Sequence, residues 1–201
     1  IIIFGIVDWR FRIQRPQHLA RCFAAIGHRV FYISTAFVNT RSAGFEIEHI
    51  DESSQLYNVR LHLKNRPRIH APPSMENIHG LNDSLTRLLT WIGHHEIVTI
   101  VQHPYRYEAV RTFGGSKLIY DCMDNHEGFG HLDVGISKLE LTLLKEADAV
   151  VTTSQWLQER AASHNPNVEL IRNAAEYGFF SVRPPDVFHD PQGRRILGYY
   201  G

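Results

Sequence analysis

The first 33 residues place the tightest constraint on the fold. The chain opens on a continuous apolar run, Ile1-Ile2-Ile3-Phe4-Gly5-Ile6-Val7, closed by Asp8. An apolar run without polar alternation is the pattern of a strand covered on both faces, as in a parallel sheet. Pro16 suits the first turn of a helix, where its missing N–H costs nothing. Leu19, Cys22, Phe23 and Ile26 then recur at helical spacing, and Gly27 supplies the stop. Arg29–Ile33 reads as the second strand. Strand, helix and strand at this spacing make a βαβ unit with a parallel sheet and a right-handed crossover.

The same alternation resumes further on. Phe45–Ile50 and Leu56–Leu63 are expected as short strands joined by a turn over Asp51-Glu52-Ser53-Ser54, and residues 65–74, with three prolines, as a loop. Leu81, Leu85, Leu88, Leu89 and Ile92 predict a helix over 78–94. Strands follow at 97–101, 117–120, 149–152 and 168–171, with helices at 105–113, 136–146 and 155–162 between them. Ser154 is the expected N-cap of the last of these helices. The fold class is therefore α/β, a Rossmann-like, doubly wound and mainly parallel sheet. In such sheets ligands gather beyond the carboxyl ends of the strands, so every candidate site residue should follow a strand. Pro184, Pro185 and Pro191 mark a linker, and Arg195–Gly201 reads as a further strand. The expected division is a domain over 1–183, then over 184–201 a linker and the first strand of a second domain.

Charge and cysteine usage narrow the function. The formal net charge is zero, which argues against a dedicated nucleic-acid partner. The first 70 residues nevertheless carry ten Lys/Arg against five acids. That bias suits a phosphate ligand or an anionic membrane surface, and equally a scattered surface charge. Arg60–Arg68 is similarly either an acceptor-lipid or membrane face, or a solvated hairpin edge. The two cysteines, Cys22 and Cys122, show neither metal spacing nor a disulfide framework, so a cytoplasmic location is expected, with peripheral contact to the inner membrane face as an option. No Gly-x-Gly-x-x-Gly follows the first strand, which disfavours a dinucleotide-dependent dehydrogenase.

Three segments carry a family resemblance. The first is Asp8-Trp9-Arg10-Phe11-Arg12-Ile13-Gln14-Arg15-Pro16-Gln17-His18-Leu19-Ala20, followed by Gly27-His28-Arg29-Val30. The second is Tyr120-Asp121-Cys122-Met123-Asp124-Asn125. The third is Ala147–Ser154 with Ile171-Arg172-Asn173-Ala174-Ala175, and Gly198-Tyr199-Tyr200-Gly201 closes the series. In this order they resemble the N-terminal domain of bacterial GT-B glycosyltransferases of the retaining, group 1 or family-4-like class. The resemblance implies one half of a two-domain enzyme that moves a hexosyl group from a nucleotide-sugar donor to a glycan or lipid-linked acceptor, as in polysaccharide biosynthesis. It implies no metal and no cofactor beyond the donor, and a fragment inactive by itself. The chain departs from the family at Arg172-Asn173-Ala174, where Pro-Asn-Gly is usual; Ala resists the positive φ that Gly permits.

Several residues pass the strand-end test. Asp121 and Asp124 flank a central strand end and are the candidate catalytic carboxylates, able to bind sugar hydroxyls or position an acceptor oxygen. They sit in a polar cluster with Asn125, His126, Glu127, His131 and Asp133. His103 and Tyr105 follow the strand at 97–101 and are candidate acceptor contacts, with Asn125 and His126. Arg12 and Arg15, before a helix N-terminus, are candidate ligands for the donor phosphates, although Arg15 would equally brace the turn before Pro16. The resemblance adds Trp9 and Arg10 on the cleft side and Asn173 on the phosphate side. Two other readings use the same residues: a nucleotide-sugar epimerase of this architecture, and a non-catalytic carbohydrate-binding module.

Overall fold

The computed structural model describes residues 1–52, 54–65, 72–93, 96–111, 116–128, 134–182 and 190–195. At the amino end, β1 (Ile2–Phe4), α1 (Arg15–Ala25) and β2 (Val30–Ile33) form the expected unit, with the two strands parallel. β1 ends three residues before the apolar run does. The Tyr32 phenol fills the space beside Gly5, where any Cβ would strike it, and its hydroxyl donates to the Val7 carbonyl at 2.7 Å. The chain therefore leaves the sheet at Gly5. α1 also turns a different face inward from the one its apolar stripe suggests. Pro16, Gln17, Ala20 and Ala24 are buried, whereas Cys22 and Ile26 face solvent. Two alanines let the helix lie close to the sheet; larger residues there would hold it off. Gly27 takes φ +94°, the left-handed conformation that ends the helix.

β3 (Phe45–Asp51) pairs antiparallel with β4 (Leu56–Leu61), and β4 runs parallel to β2. An exposed Arg60–Glu46 ion pair crosses this hairpin. α2 (Met75–Ile92) begins three residues earlier than its periodicity indicates, because the Ser74 hydroxyl accepts the Asn77 N–H and caps it. Its Leu81, Leu85, Leu88 and Ile92 are buried. After β5 (Ile97–Val101) a 3₁₀ turn at Pro104–Arg106 leads into the short α3 (Tyr107–Val110), rather than the single helix expected from 105 to 113. His103 starts that turn by accepting the Tyr105 N–H on its ring, which tightens the entry. β6 (Ser116–Cys122), α4 (Val134–Glu146), β7 (Ala149–Thr152), α5 (Gln155–Ala162), β8 (Val168–Leu170) and α6 (Tyr177–Phe180) complete the order. Ser154 caps α5 as expected, accepting the Leu157 N–H. The expected strand from 196 onward, most of the proline linker, His131, Asp133, Arg66 and Arg68 lie outside the described residues.

Among the described residues the sheet has eight strands in the order β3-β4-β2-β1-β5-β6-β7-β8, all parallel except β3. Core side chains lie on both faces. Ile2, Phe4, Phe31 and Ile33 point to one cluster, with α2, α4 and α5, while Ile3, Val30 and Tyr32 point to the other, with Ala20 and Ala24 of α1. The chain is thus a doubly wound, Rossmann-like α/β sheet. From β1 the sheet grows one way to β2 and β4, and the other way to β5 through β8. The order reverses between β1 and β5, and the crevice beyond their carboxyl ends is the expected ligand position. Among the described residues no helix is long and apolar enough to cross a membrane.

Candidate functional site

The loop leaving β1 forms one wall of this crevice, and a buried side chain holds it in shape. Gln17 is fully buried; its amide nitrogen donates to the carbonyls of Asp8 (3.2 Å) and Arg12 (2.8 Å), and its oxygen accepts the Gln14 N–H at 3.0 Å. The Asp8 carboxylate accepts the Arg10 N–H at 2.9 Å and the Ser34 hydroxyl at 2.6 Å, tying the loop to the end of β2. Gln17 is not among the residues that the strand-end rule selects. A polar residue at the buried i, i+3, i+7 positions of α1, with Ala20 and Ala24, is the signal that would have found Gln17.

The floor is an ion pair that joins distant parts of the chain. Arg15, the first residue of α1, directs its Nε to both Asp121 oxygens at 3.0 Å and its Nη2 to Oδ1 at 2.9 Å. The Gln102 amide donates to the second oxygen at 2.8 Å. The Arg15 Nη1 also reaches the Arg172 carbonyl and the Asn173 side chain, both at 3.4 Å. The Arg15 and Asp121 side chains are only 11% and 2% exposed, so their mutual attraction acts in a weakly screened environment. Candidates assigned to two roles, the carboxylate Asp121 and the phosphate-side Arg15 and Asn173, thus meet in one cluster.

His103, Tyr105, Asn125 and His126 stand on the far wall. The His103 ring lies 5.0 Å from those of Tyr105 and His126, and both histidines are buried. Because His103 Nδ1 accepts the Tyr105 N–H, a neutral ring carries its proton on Nε2. Asp124 is exposed beyond β6, and Asn125 is half-buried. Among the described residues, the buried side-chain oxygens of Gln102 and Asn125 accept no hydrogen bond. Buried acceptors left open in this way are uncommon in folded proteins.

Beneath this wall lies a brace that none of the sequence motifs indicates. Glu140 of α4 is fully buried and accepts the Tyr120 hydroxyl at 2.8 Å and the Arg160 guanidinium at 3.0 Å. Arg160 reaches on to Glu127 at 3.3 Å, and Thr153 donates to the Met123 carbonyl at 3.0 Å. These bonds fix the turn that carries Asp124 and Asn125. Burial, with Glu140 nearby, pushes the Cys122 thiol up to about 12. The position of Glu140 on the inward stripe Ile136, Leu143 and Leu144 is the trace it leaves in the sequence.

The other candidates are more peripheral. Trp9 is buried edge-on against Tyr32 at 5.0 Å, with the Arg21 guanidinium over its ring. Arg10 is exposed and paired with Glu48 of β3. Arg12 is exposed and stacks over Phe11 at 5.3 Å. Phe11 and Ile13 of the same loop are exposed apolar residues.

The comparisons agree with the architecture. A fragment of sucrose-phosphate synthase from Thermosynechococcus elongatus superposes with a TM-score of 0.60 at 13% identity, covering 90% of this chain and 92% of the fragment. The longer sucrose-phosphate synthase chain from the same organism gives 0.57 at 12% identity, over 85% of this chain and 47% of that one. The chain shares their fold. No family model matches it. A curated relative, the glutamine-hydrolysing GMP synthase of Hydrogenovibrio crunogenus (strain DSM 25203 / XCL-2), is 29% identical over 105 residues. That match takes in 51% of this chain and 18% of the relative's length.

Proposed function

We propose that this domain is the acceptor-side half of a two-domain hexosyltransferase. The observation that carries the reading is the convergence of Arg15, Gln102 and Asp121 at the β1/β5 reversal, beside Asp124 and the His103–His126 pair. The fold shared with sucrose-phosphate synthase supports it. In this reading Asp121 is a positioning residue whose carboxylate orients Arg15 and Asn173. Asp124, the carboxylate open to solvent, takes the acceptor hydroxyl, with Asn125 and the two histidines along the sugar. The exposed Arg12 and the α1 N-terminus face the donor diphosphate. A bond forms between the acceptor oxygen and the anomeric carbon as the bond to the diphosphate breaks. The hydroxyl proton leaves to a carboxylate or to the departing phosphate, and a nucleoside diphosphate is released.

The donor would sit mainly on a second domain entered through residues 184–201. A cytoplasmic enzyme acting on a glycan, or on a lipid-linked acceptor at the membrane face, fits this arrangement. Incubated with a uridine diphosphate hexose and a saccharide acceptor, residues 1–201 alone should release no nucleoside diphosphate above background by mass spectrometry. Robust release with a lengthened glycan would overturn the half-enzyme reading. A changed free nucleotide sugar would replace it with an epimerase.

A further inference from the structure

A second recess lies on the flank of the sheet, away from the crevice walls. A cavity of about 640 Å³ opens where the chain leaves β4, between the loop 40–43 and the first turns of α2. A second, of about 550 Å³, continues along α2 to Trp91. Ala43 and His62 line both, so the two form one elongated groove. It starts from segments that follow β2 and β4, on the same edge of the sheet as the crevice.

The chemistry of the walls selects a ligand class. Trp91 is 50% exposed, yet its ring is held by Phe45 at 5.7 Å and Phe31 at 6.2 Å. The Arg29 guanidinium lies over the ring, 5.5 Å from its centroid, and the part of this fixed indole that stays open is suited to pack on the C–H face of a pyranose. Arg41, Asp83 and Arg87 line the groove, and among the described residues none of the three forms an ion pair. Lys64 and Glu76 of the same lining pair with each other at 4.0 Å, which leaves Asp83 to meet an anion and Arg41 and Arg87 to meet a cation. A neutral polyhydroxyl chain satisfies both signs, since vicinal hydroxyls donate to carboxylates and accept from guanidinium groups. His62 adds an independent indication. Its Nδ1 faces the Ser42 carbonyl at 3.1 Å, so a neutral ring carries its proton there, and among the described residues the buried Nε2 then has no hydrogen-bond donor.

We infer that this groove binds a linear, neutral oligosaccharide, holding the part of the acceptor chain remote from the reacting sugar. The identity of the ligand rests on the acceptor-side reading above. The test uses the indole N–H signals of Trp9, Trp91 and Trp156 in the ¹⁵N-labelled 201-residue chain. Maltohexaose and cellohexaose are the probes, with glucose and inorganic phosphate as controls. At least one hexasaccharide should move the Trp91 indole and the Ala43 amide saturably, with glucose weaker by about tenfold or more. Trp91→Ala should weaken binding by about tenfold. Because that change also removes packing on Phe31 and Phe45, the solvent-facing Asp83→Ala is the second variant and should weaken binding severalfold.

A Trp91 signal unmoved by either hexasaccharide, or moved by phosphate alone, overturns the inference, as does binding indifferent to Asp83→Ala. The failures are distinguishable. Shifts at Trp91 and Ala43 without any at His103 or Asn125 support the groove while counting against the crevice reading. Shifts confined to the crevice overturn the groove alone.

Discussion

Asp121 and Arg15 illustrate how a side chain's role depends on what reaches it. Each is a charge at a strand end or helix start, and each invites a direct role with substrate. In the fold they neutralise one another, and Gln102, the Arg172 carbonyl and Asn173 take up further hydrogen bonds. Removing one partner of a buried pair leaves the other charge uncompensated, at a cost of about 3–5 kcal/mol. Asp121→Asn should therefore lower stability by roughly that amount in urea denaturation, and an Arg15→Met/Asp121→Leu double variant should recover much of it. If Asp121→Asn alone is neutral, the pair does not hold the crevice floor.

The two thiols give a second test at this scale. Cys22 is exposed, whereas Cys122 is buried with its acidity suppressed. At pH 8 iodoacetamide should label Cys22 quickly and Cys122 only on unfolding, as read by intact mass. The suppressed acidity also sets a sign. A thiol whose folded pKa is raised from 9.0 to about 12 contributes stability that is present below the unfolded value and lost as pH rises through that window. Cys122→Ser should flatten part of the alkaline fall in stability.

At the scale of elements, the sequence and the fold agree where one periodicity dominates. α2 is the clearest case, since Leu81, Leu85, Leu88 and Ile92 lie on one face and all are buried. Leu85→Ala should cost about 2–5 kcal/mol, the usual range for emptying a packed core site. A smaller loss in chemical denaturation would mean that α2 is poorly seated on the sheet. Agreement fails where tertiary packing decides. The apolar run after Phe4 leaves the sheet because Tyr32, far along the chain, occupies the place beside Gly5. The inward face of α1 is chosen by alanines and by Gln17, which apolar periodicity ranks low. Gln17→Leu should remove the partner of the Arg12 carbonyl and of the Gln14 N–H, and leave the Asp8 carbonyl with the Phe11 N–H alone. The expected effect is about 1–3 kcal/mol in stability and faster amide exchange over residues 8–14. Unchanged exchange there would remove Gln17 from its role as the clamp of the loop.

For the molecule as a whole, strand–helix alternation was enough to predict a doubly wound sheet, and the strand-end rule was enough to gather the candidates on one edge. What alternation alone leaves open is the strand order, because it depends on which way each crossover turns. The order found puts the reversal between β1 and β5, and so brings residues 8–17 opposite 102–105 and 121–126. Contacts between residues more than a hundred positions apart, such as Arg15 with Asp121, leave no local periodicity to read. The same topology leaves Tyr177, Phe179, Phe180 and Val182 exposed on and just after α6, beside the Arg15 and His18 contacts of the preceding segment. Such a patch suits a covering surface, as the two-domain proposal requires.

The half-enzyme reading requires that a sugar acceptor occupy the crevice at the β1/β5 reversal. Its most direct test is a crystal structure of the chain soaked with a saccharide acceptor and a uridine diphosphate hexose. Sugar density is expected within hydrogen-bond distance of Asp124 or Asn125, with Arg15 still on Asp121. A well-ordered crevice without ligand, in crystals that bind the sugar elsewhere, would contradict it.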